Sequence, residues 1–220
     1  AQRPLSLVTT NLHVQRQAPG QFSYTVVQEG NARLQAGRHG GAVCTSSNAR
    51  AVLEWAFARG DKVLFFPDQH LGRWTGHQLG FPMDEMVVWD PDLEMGGLTV
   101  DQIRKARILL WKGHCSVHQM FRKAHIDAFR AKYPDGLVIA HPECSFEVCA
   151  ASDTVGSTEH IVRTIKEAPE GTRWLVGTEL NLVNRIAEQF KPQGKTVQFM
   201  APTVCMCSTM ARIDPQHLAW

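Results

Sequence analysis

The sequence has little that would place the protein in a membrane or on a nucleic acid. No apolar run approaches the roughly 18 residues that a spanning helix requires, and no secretory signal pattern opens the chain. The formal net charge is only +2 over 220 residues, so bulk electrostatics do not favour nucleic acid or an anionic membrane as a partner. We therefore expect a cytoplasmic protein that binds neither.

The sequence also lacks the cysteine density of a small secreted disulfide scaffold, because it has only six cysteines in 220 residues. In a reducing compartment, clustered cysteines are more often metal ligands or catalytic groups than crosslinks. The sequence has no Cys-x-x-Cys pair and no local ferredoxin-type run. Any bound metal would therefore take its ligands from separate parts of the chain.

What the sequence does have is a repeated alternation of strands and helices. Apolar segments without polar alternation are separated by helical segments, a pattern typical of parallel sheets covered on both faces. The predicted strands lie in 62–68, 86–92, 107–115, 136–144, 172–179 and 195–205, and the predicted helices in 52–60, 99–106, 120–134, 156–168 and 181–190. We predict an α/β protein built from repeated three-layer αβα domains.

The two ends of the chain differ from this pattern. Residues 1–42 are rich in Gln, Arg, Gly and Ala and show poor periodicity, which predicts an atypical segment that is disordered or frame-shifted, or else a flexible native arm. The pattern predicts one αβα domain over residues 43–115 and a second over residues 116–205. Residues 206–220 are interpreted as the start of a truncated C-terminal segment, with Asp214 as a helix cap.

Thiols, imidazoles and carboxylates gather just after the predicted strands. In open parallel sheets, ligands bind outside the carboxyl ends of the strands. The segments that follow the apolar runs are 67–70, 112–115, 141–144, 177–179 and 201–207. Random surface polarity would supply mostly Lys, Ser and Gln there, so the pattern predicts a ligand site at this edge.

Two cysteines in these segments are candidate metal ligands. Cys115 and Cys205 both follow a strand and are 90 residues apart, about the length of one small α/β unit. Thiolates favour zinc or iron–sulfur centres. Cys205 and Cys207 are separated by one residue, so extended backbone would point them apart, and we expect only one of them to be a ligand.

His141 and Glu143 form a second candidate group. Pro142 restricts His141 to extended geometry, which would present an imidazole and a carboxylate to one pocket as an acid–base pair. The alternative is that Glu143 caps the helix that begins near Ser145.

Two helix starts carry weaker signals for an anion. Residues 156–158, ending in Thr158, open a helix whose free N–H groups and dipole favour negative charge. Ser46 lies in a similar Thr/Ser/Asn-rich segment, residues 45–48. Both segments are equally compatible with ordinary helix caps.

Several of these segments resemble the quinolinate synthase family over residues 43–220. The segments that carry the resemblance are, in order, VCTSSNA, KVLFFPDQHLGR, WKGHCSVHQMF, VIAHPECSFEV, VGSTEHIV, GTELNLVNRI and PTVCMCSTM. The resemblance implies three similar αβα domains around a pseudo-threefold axis, of which this chain would contain two. It implies a reaction that condenses iminoaspartate with dihydroxyacetone phosphate to quinolinate, and L-aspartate oxidase as the supplier of iminoaspartate.

The resemblance also implies a [4Fe–4S] cluster held by one cysteine from each domain. Its fourth iron would be open to substrate and would act as a Lewis acid. By motif, Cys115 resembles the second cluster ligand and Cys205 the third, with Cys207 as the fallback. The remaining thiols, Cys44, Cys144 and Cys149, are expected to be ordinary buried cysteines.

Five further residues acquire roles from the resemblance. His118 resembles an active-site imidazole near the open iron, while His141 and Glu143 resemble substrate-binding and acid–base residues, with Glu143 as the proton shuttle. Ser46 and Thr158 resemble groups that bind the carboxylates or phosphate of the substrates.

The chain also departs from the family pattern. The motif that carries the first cluster cysteine is absent from residues 1–42, which predicts a partial synthase that is inactive or poorly active. One alternative is a mononuclear zinc hydrolase or lyase that uses Cys115, His118, His141 and Glu143. The other is a non-catalytic αβα fragment without metal, associating through an exposed apolar face.

Overall fold

The chain divides into two compact units, residues 1–114 and residues 115–220. The computed structural model describes residues 41–203 in full and, before them, the backbone of residues 6–9, 13–18 and 21–25. The division lies next to the boundary predicted between residues 115 and 116. Most of the predicted segment 1–42, and all of the segment 206–220, lie outside the described residues, and the predicted domain limits stay predictions.

The first unit contains a four-stranded parallel sheet. Its elements are, in chain order, β1 (Ser6–Thr9), β2 (His13–Ala18), β3 (Gln21–Thr25), α1 (Ala49–Phe57), β4 (Val63–Phe66), α2 (Gln69–Gln78), β5 (Met86–Trp89), α3 (Val100–Lys105) and β6 (Ile108–Trp111). The sheet order is β1-β4-β6-β5, and every neighbouring pair is parallel. Strands β2 and β3 pair separately and are antiparallel.

Strand β4 shows why this unit has three layers. Every side chain of β4 is buried. Val63 and Phe65 pack into one apolar cluster together with Leu53 of α1, whereas Leu64 and Phe66 pack into a second cluster. Because alternate side chains of a strand point to opposite faces, both faces of the sheet are covered. This explains the apolar run without polar alternation.

Helix α2 was missed by the sequence analysis. It begins directly after β4, where the carboxylate of Asp68 accepts a hydrogen bond from Leu71 N at 2.8 Å and caps the helix. A Cβ atom at Gly72 would lie 2.6 Å from Leu110 Cδ2, and one at Gly76 would lie 2.7 Å from Ile108 Cδ1. The two glycines let the helix approach the sheet closely, and they also weaken its helical signal in the sequence.

The second unit repeats this architecture. Its elements are α4 (Lys123–Lys132), β7 (Leu137–Ala140), α5 (Phe146–Ala151), β8 (Thr154–Val155), α6 (Thr158–Glu167), β9 (Arg173–Gly177), α7 (Leu180–Phe190) and β10 (Thr196–Phe199). The sheet order is β10-β9-β7-β8, again parallel throughout. Its core combines strand residues such as Ile139 and Val176 with Ile165 of α6 and Ile186 of α7.

In both units a lysine before a strand contacts the end of a helix, and it is partly exposed in the first unit and buried in the second. Lys62 precedes β4 and donates to the carbonyl of Ile103 at 2.8 Å, in the last turn of α3. Lys195 precedes β10 and donates to the carbonyls of Ile165 and Lys166, both at 2.8 Å, at the end of α6. A cation is favourable there because the last carbonyls of a helix lack partners and carry its negative dipole end.

The predicted α/β fold with repeated three-layer domains is therefore confirmed. Helix α3 begins with a capping box at Thr99: its hydroxyl accepts from Gln102 N at 3.2 Å, and the Gln102 side chain reaches back to Thr99 N. Among the helices of the described residues, none has the length and apolar character that crossing a membrane requires.

Candidate metal and acid–base site

Four of the predicted site residues come together in the second unit. His141 and Glu143 lie directly after β7, and His141 N donates to the carbonyl of Gly177 in neighbouring β9 at 2.9 Å. Cys115 and His118 lie in the turn that opens the unit, where Gln119 N donates to the carbonyl of Cys115 at 3.1 Å. One donor atom each of Cys115, His118 and Glu143 lies within 4.8 Å of the others.

His118 and Glu143 form a shielded ion pair. Nδ1 of His118 lies 3.2 Å from Oε2 of Glu143, and the two side chains are 8% and 27% exposed. Burial by itself lowers the pKa of His118, but hydrogen bonds to Cys115 and Glu143 and the Glu143 charge outweigh it and raise that pKa to about 9. Burial raises the pKa of Glu143, yet its hydrogen bond with His118 and the nearby imidazoles bring it below the usual value.

His141 has the opposite electrostatic environment. Its ring stacks on that of His118, with centroids 4.7 Å apart and planes inclined by 20°. Burial, together with the charge of His118, lowers the pKa of His141 to about 4, although Glu143 opposes this. The backbone N–H of Glu143 donates to His141 Nδ1 at 3.4 Å. Neutral His141 therefore carries its proton on Nε2, and the site combines a charged imidazole with a neutral one.

The alternative role of Glu143 as a helix cap is wrong. Helix α5 is capped by Ser145, whose hydroxyl accepts a hydrogen bond from Val148 N at 3.4 Å. The carboxylate of Glu143 is directed instead to His118. Sequence alone could not separate the two readings, because both residues are polar and both precede the helix.

Cys115 differs from the other thiols of the described residues. Cys44, Cys144 and Cys149 are each at most 3% exposed, whereas Cys115 is partly accessible. Burial raises the pKa of Cys44 to about 11 and that of Cys144 well above its usual value. The expectation that these three are buried thiols is confirmed.

Cys149 has a supporting role that sequence reasoning missed. Its Sγ lies 3.7 Å from the carbonyl of His141 and 3.6 Å from that of Cys144, and Cys144 N donates to the His141 carbonyl at 2.9 Å. These contacts fix the turn that carries Glu143. A buried small residue five positions after the Pro-containing turn 141–144 gives no signal in the sequence that would reveal this role.

Thr158 occupies the first position of α6 and is exposed. The cap is its neighbour Ser157, whose hydroxyl accepts from His160 N at 3.3 Å. Gly156 packs against the His160 ring so closely that a Cβ atom would lie 2.2 Å from its Cδ2. His160 therefore shapes the turn before Thr158, a contribution that sequence reasoning did not identify.

Ser46 lies in the first unit, in the turn before α1. That turn is closed by Asn48, whose Oδ1 accepts from Thr45 N at 2.7 Å. Cys205 and Cys207 lie outside the described residues, so their predicted roles as ligands stay predictions.

Comparison with known proteins identifies the relatives of the chain. The family model for quinolinate synthetase A protein matches residues 9–220, beginning further upstream than the resemblance over residues 43–220. The chain is 55% identical over 184 residues to the quinolinate synthase of Acidobacterium capsulatum, covering 84% of this chain and 49% of that protein.

Two further quinolinate synthases have a comparable sequence identity to the chain. Identity is 57% over 185 residues with the protein of Rhodopirellula baltica, and 54% over 185 residues with that of Herpetosiphon aurantiacus. Each match covers 84% of this chain, and 47% and 49% of the respective relative. The chain spans about half the length of the curated relatives it matches, and it belongs to the quinolinate synthase family.

Proposed function

We propose that the chain serves quinolinate synthesis in NAD biosynthesis, condensing iminoaspartate with dihydroxyacetone phosphate. Family membership supports this activity over the zinc hydrolase or lyase and over a non-catalytic fragment. The observation that carries the proposal is the convergence of Cys115, His118, His141 and Glu143 at the carboxyl end of β7. The cytoplasmic location and the supply of iminoaspartate by L-aspartate oxidase belong to the same proposal.

The proposed cofactor is a [4Fe–4S] cluster with Cys115 as one ligand. Cys115 suits that role because its thiol is partly accessible and lies beside His118 and Glu143, while Cys44, Cys144 and Cys149 are enclosed in the core. Cys205 is the proposed ligand from the following segment, with Cys207 as the fallback. When bound, the cluster supplies a Lewis acid that polarises substrate oxygen or nitrogen atoms.

Glu143 is the proposed proton shuttle. Condensation and dehydration require protons to be taken from carbon or nitrogen and delivered to a departing hydroxyl. The Glu143 carboxylate lies 3.2 Å from the protonated His118 ring and is partly exposed, so it can reach a bound substrate. Neutral His141, with its proton on Nε2, is a hydrogen-bond donor suited to orienting a substrate oxygen.

Ser46 and Thr158 are the proposed anion-binding residues. Both lie at the beginning of a helix, in the turn before α1 and at the first residue of α6. A hydroxyl beside free N–H groups at a helix start is suited to a carboxylate or phosphate. These are the anionic groups of iminoaspartate and dihydroxyacetone phosphate.

Anaerobic reconstitution of the chain with iron and sulfide tests this function. We expect the cluster-bearing protein to bind quinolinate, detected as a change in the EPR spectrum of the reduced cluster. Glu143→Gln should weaken that binding roughly tenfold or more, because His118 loses the carboxylate that raises its pKa and with it the positive charge available to the quinolinate carboxylates. The exposed Glu147, in the first turn of α5, provides the matched control Glu147→Gln.

Turnover is measured on the same samples. We predict that this chain by itself is inactive or poorly active. The cluster-bearing protein should therefore form little quinolinate, although it binds quinolinate. Cluster-bearing protein that neither binds nor forms quinolinate would refute the proposed function. Equal loss in Glu143→Gln and Glu147→Gln would refute the role of Glu143.

A further inference from the structure

Cys115, His118 and Glu143 offer three different donors in one partly enclosed group. Their donor atoms all lie within 4.8 Å of one another. In a tetrahedral zinc site with bonds of about 2.0–2.3 Å, neighbouring ligand atoms are roughly 3.3–3.7 Å apart. The distance of 3.2 Å between His118 Nδ1 and Glu143 Oε2 already matches such an edge. Because no pair of donor atoms is more than 4.8 Å apart, the group closes around an ion with movements of at most roughly 1 Å.

The surroundings hold these donors in place. His118 is 7% exposed, and its ring stacks on that of His141 and contacts that of Phe121, whose centroid is 6.0 Å away. The turn that carries Glu143 is fixed by the Cys149 thiol. Donors that are already positioned lose little conformational freedom when an ion binds, so the group is suited to a metal.

We propose that the cluster-free chain binds one divalent transition-metal ion through Cys115, His118 and Glu143. A thiolate, an imidazole and a carboxylate favour Zn²⁺ or Co²⁺ over Mg²⁺ and Ca²⁺, which take oxygen ligands. Binding displaces the thiol proton of Cys115 and the imidazolium proton of His118, and it leaves a fourth position for water. This site does not depend on the proposed reaction.

One consequence concerns the cofactor. Because Cys115 would serve both the mononuclear ion and the cluster, the two occupants exclude each other. Zinc bound by the cluster-free chain therefore blocks cluster assembly until it is removed. The mononuclear ion is a competing occupant of the site, distinct from the cofactor proposed above.

Cobalt titration of the metal-free, anaerobically purified full chain tests the site. We expect one equivalent of Co²⁺ to give tetrahedral d–d bands and a thiolate-to-cobalt charge-transfer band, both abolished by one equivalent of Zn²⁺. The charge-transfer band should vanish in Cys115→Ser. Affinity should fall roughly tenfold or more in His118→Ala and Glu143→Gln. Exposed neighbours give the controls His114→Ala and Glu147→Gln, which should bind like the parent.

Two outcomes would overturn the proposed metal site. A charge-transfer band that persists in Cys115→Ser but disappears in Cys205→Ser or Cys207→Ser would place the thiolate elsewhere and overturn the proposal. So would affinity unchanged in Glu143→Gln, with far-UV circular dichroism showing that each variant is folded. Cobalt binding is measured without a cluster or substrates. A chain that does not bind cobalt can therefore still bind quinolinate when it carries the cluster, and a chain that does not bind quinolinate can still bind cobalt.

Discussion

The His160 ring lies so close to Gly156 that it leaves no room for a larger residue at that position. The His160 ring is held by the hydroxyls of Thr154 and Thr164, 3.2 and 3.3 Å from Nε2. It therefore cannot easily move away from a Cβ atom added at Gly156, which would lie 2.2 Å from Cδ2. We expect Gly156→Ala to lower the free energy of unfolding by about 1–3 kcal/mol through overpacking.

A double-mutant cycle separates this contact from a general preference for glycine. In a His160→Ala background the ring is gone, so Gly156→Ala should cost much less there than in the parent. Urea denaturation of the four proteins measures both costs. Equal costs in the two backgrounds would show that the backbone, and not the His160 ring, requires glycine.

At the scale of single residues, much of the site could be predicted from the sequence, because chain position alone places His118, His141 and Glu143 near the ends of strands. Their pairing was not predictable. The stacking of His118 on His141 joins residues 23 positions apart, and no local pattern encodes it. The choice between Glu143 and Ser145 as the cap of α5 likewise depends on side-chain directions that the sequence does not contain.

At the scale of elements, the lysines that precede β4 and β10 stabilise the ends of α3 and α6. Lys195 is 4% exposed and donates two hydrogen bonds of 2.8 Å to helix carbonyls. Replacing it by Met keeps the aliphatic stem but leaves those carbonyls without their donor. We expect Lys195→Met to lower the free energy of unfolding by about 1.5–3 kcal/mol, the usual range for a buried hydrogen bond to a charged group.

The control for this substitution is Lys191→Met, at an exposed lysine whose side chain is 75% accessible. It should change stability by less than about 0.5 kcal/mol. Thermal or urea unfolding compares the two variants with the parent. A Lys195→Met protein as stable as Lys191→Met would show that water satisfies the α6 carbonyls equally well.

Most of the elements between residues 43 and 203 were predictable, and the failure to predict α2 has a physical cause. Predicted strands without polar alternation correspond to β4, β6, β7 and β9, because strands buried on both faces retain no polar face. Helix α2 escaped prediction because Gly72 and Gly76, which lower helix propensity, are present to allow close packing on the sheet. Tertiary contact there outweighs local propensity.

At the scale of the whole molecule, the second unit contains its own sheet, its own apolar core and the whole of the Cys115–His118–Glu143 group. Residues 115–220 should therefore fold when produced alone, since a chain of about 100 residues can bury an adequate core. We expect a cooperative thermal transition by circular dichroism.

We also expect Cys144 and Cys149, both 1% exposed, to resist iodoacetamide while Cys115 reacts, as measured by peptide mass spectrometry. Uniform labelling of Cys115, Cys144 and Cys149 without a cooperative transition would mean that this core forms only when residues 1–114 are present.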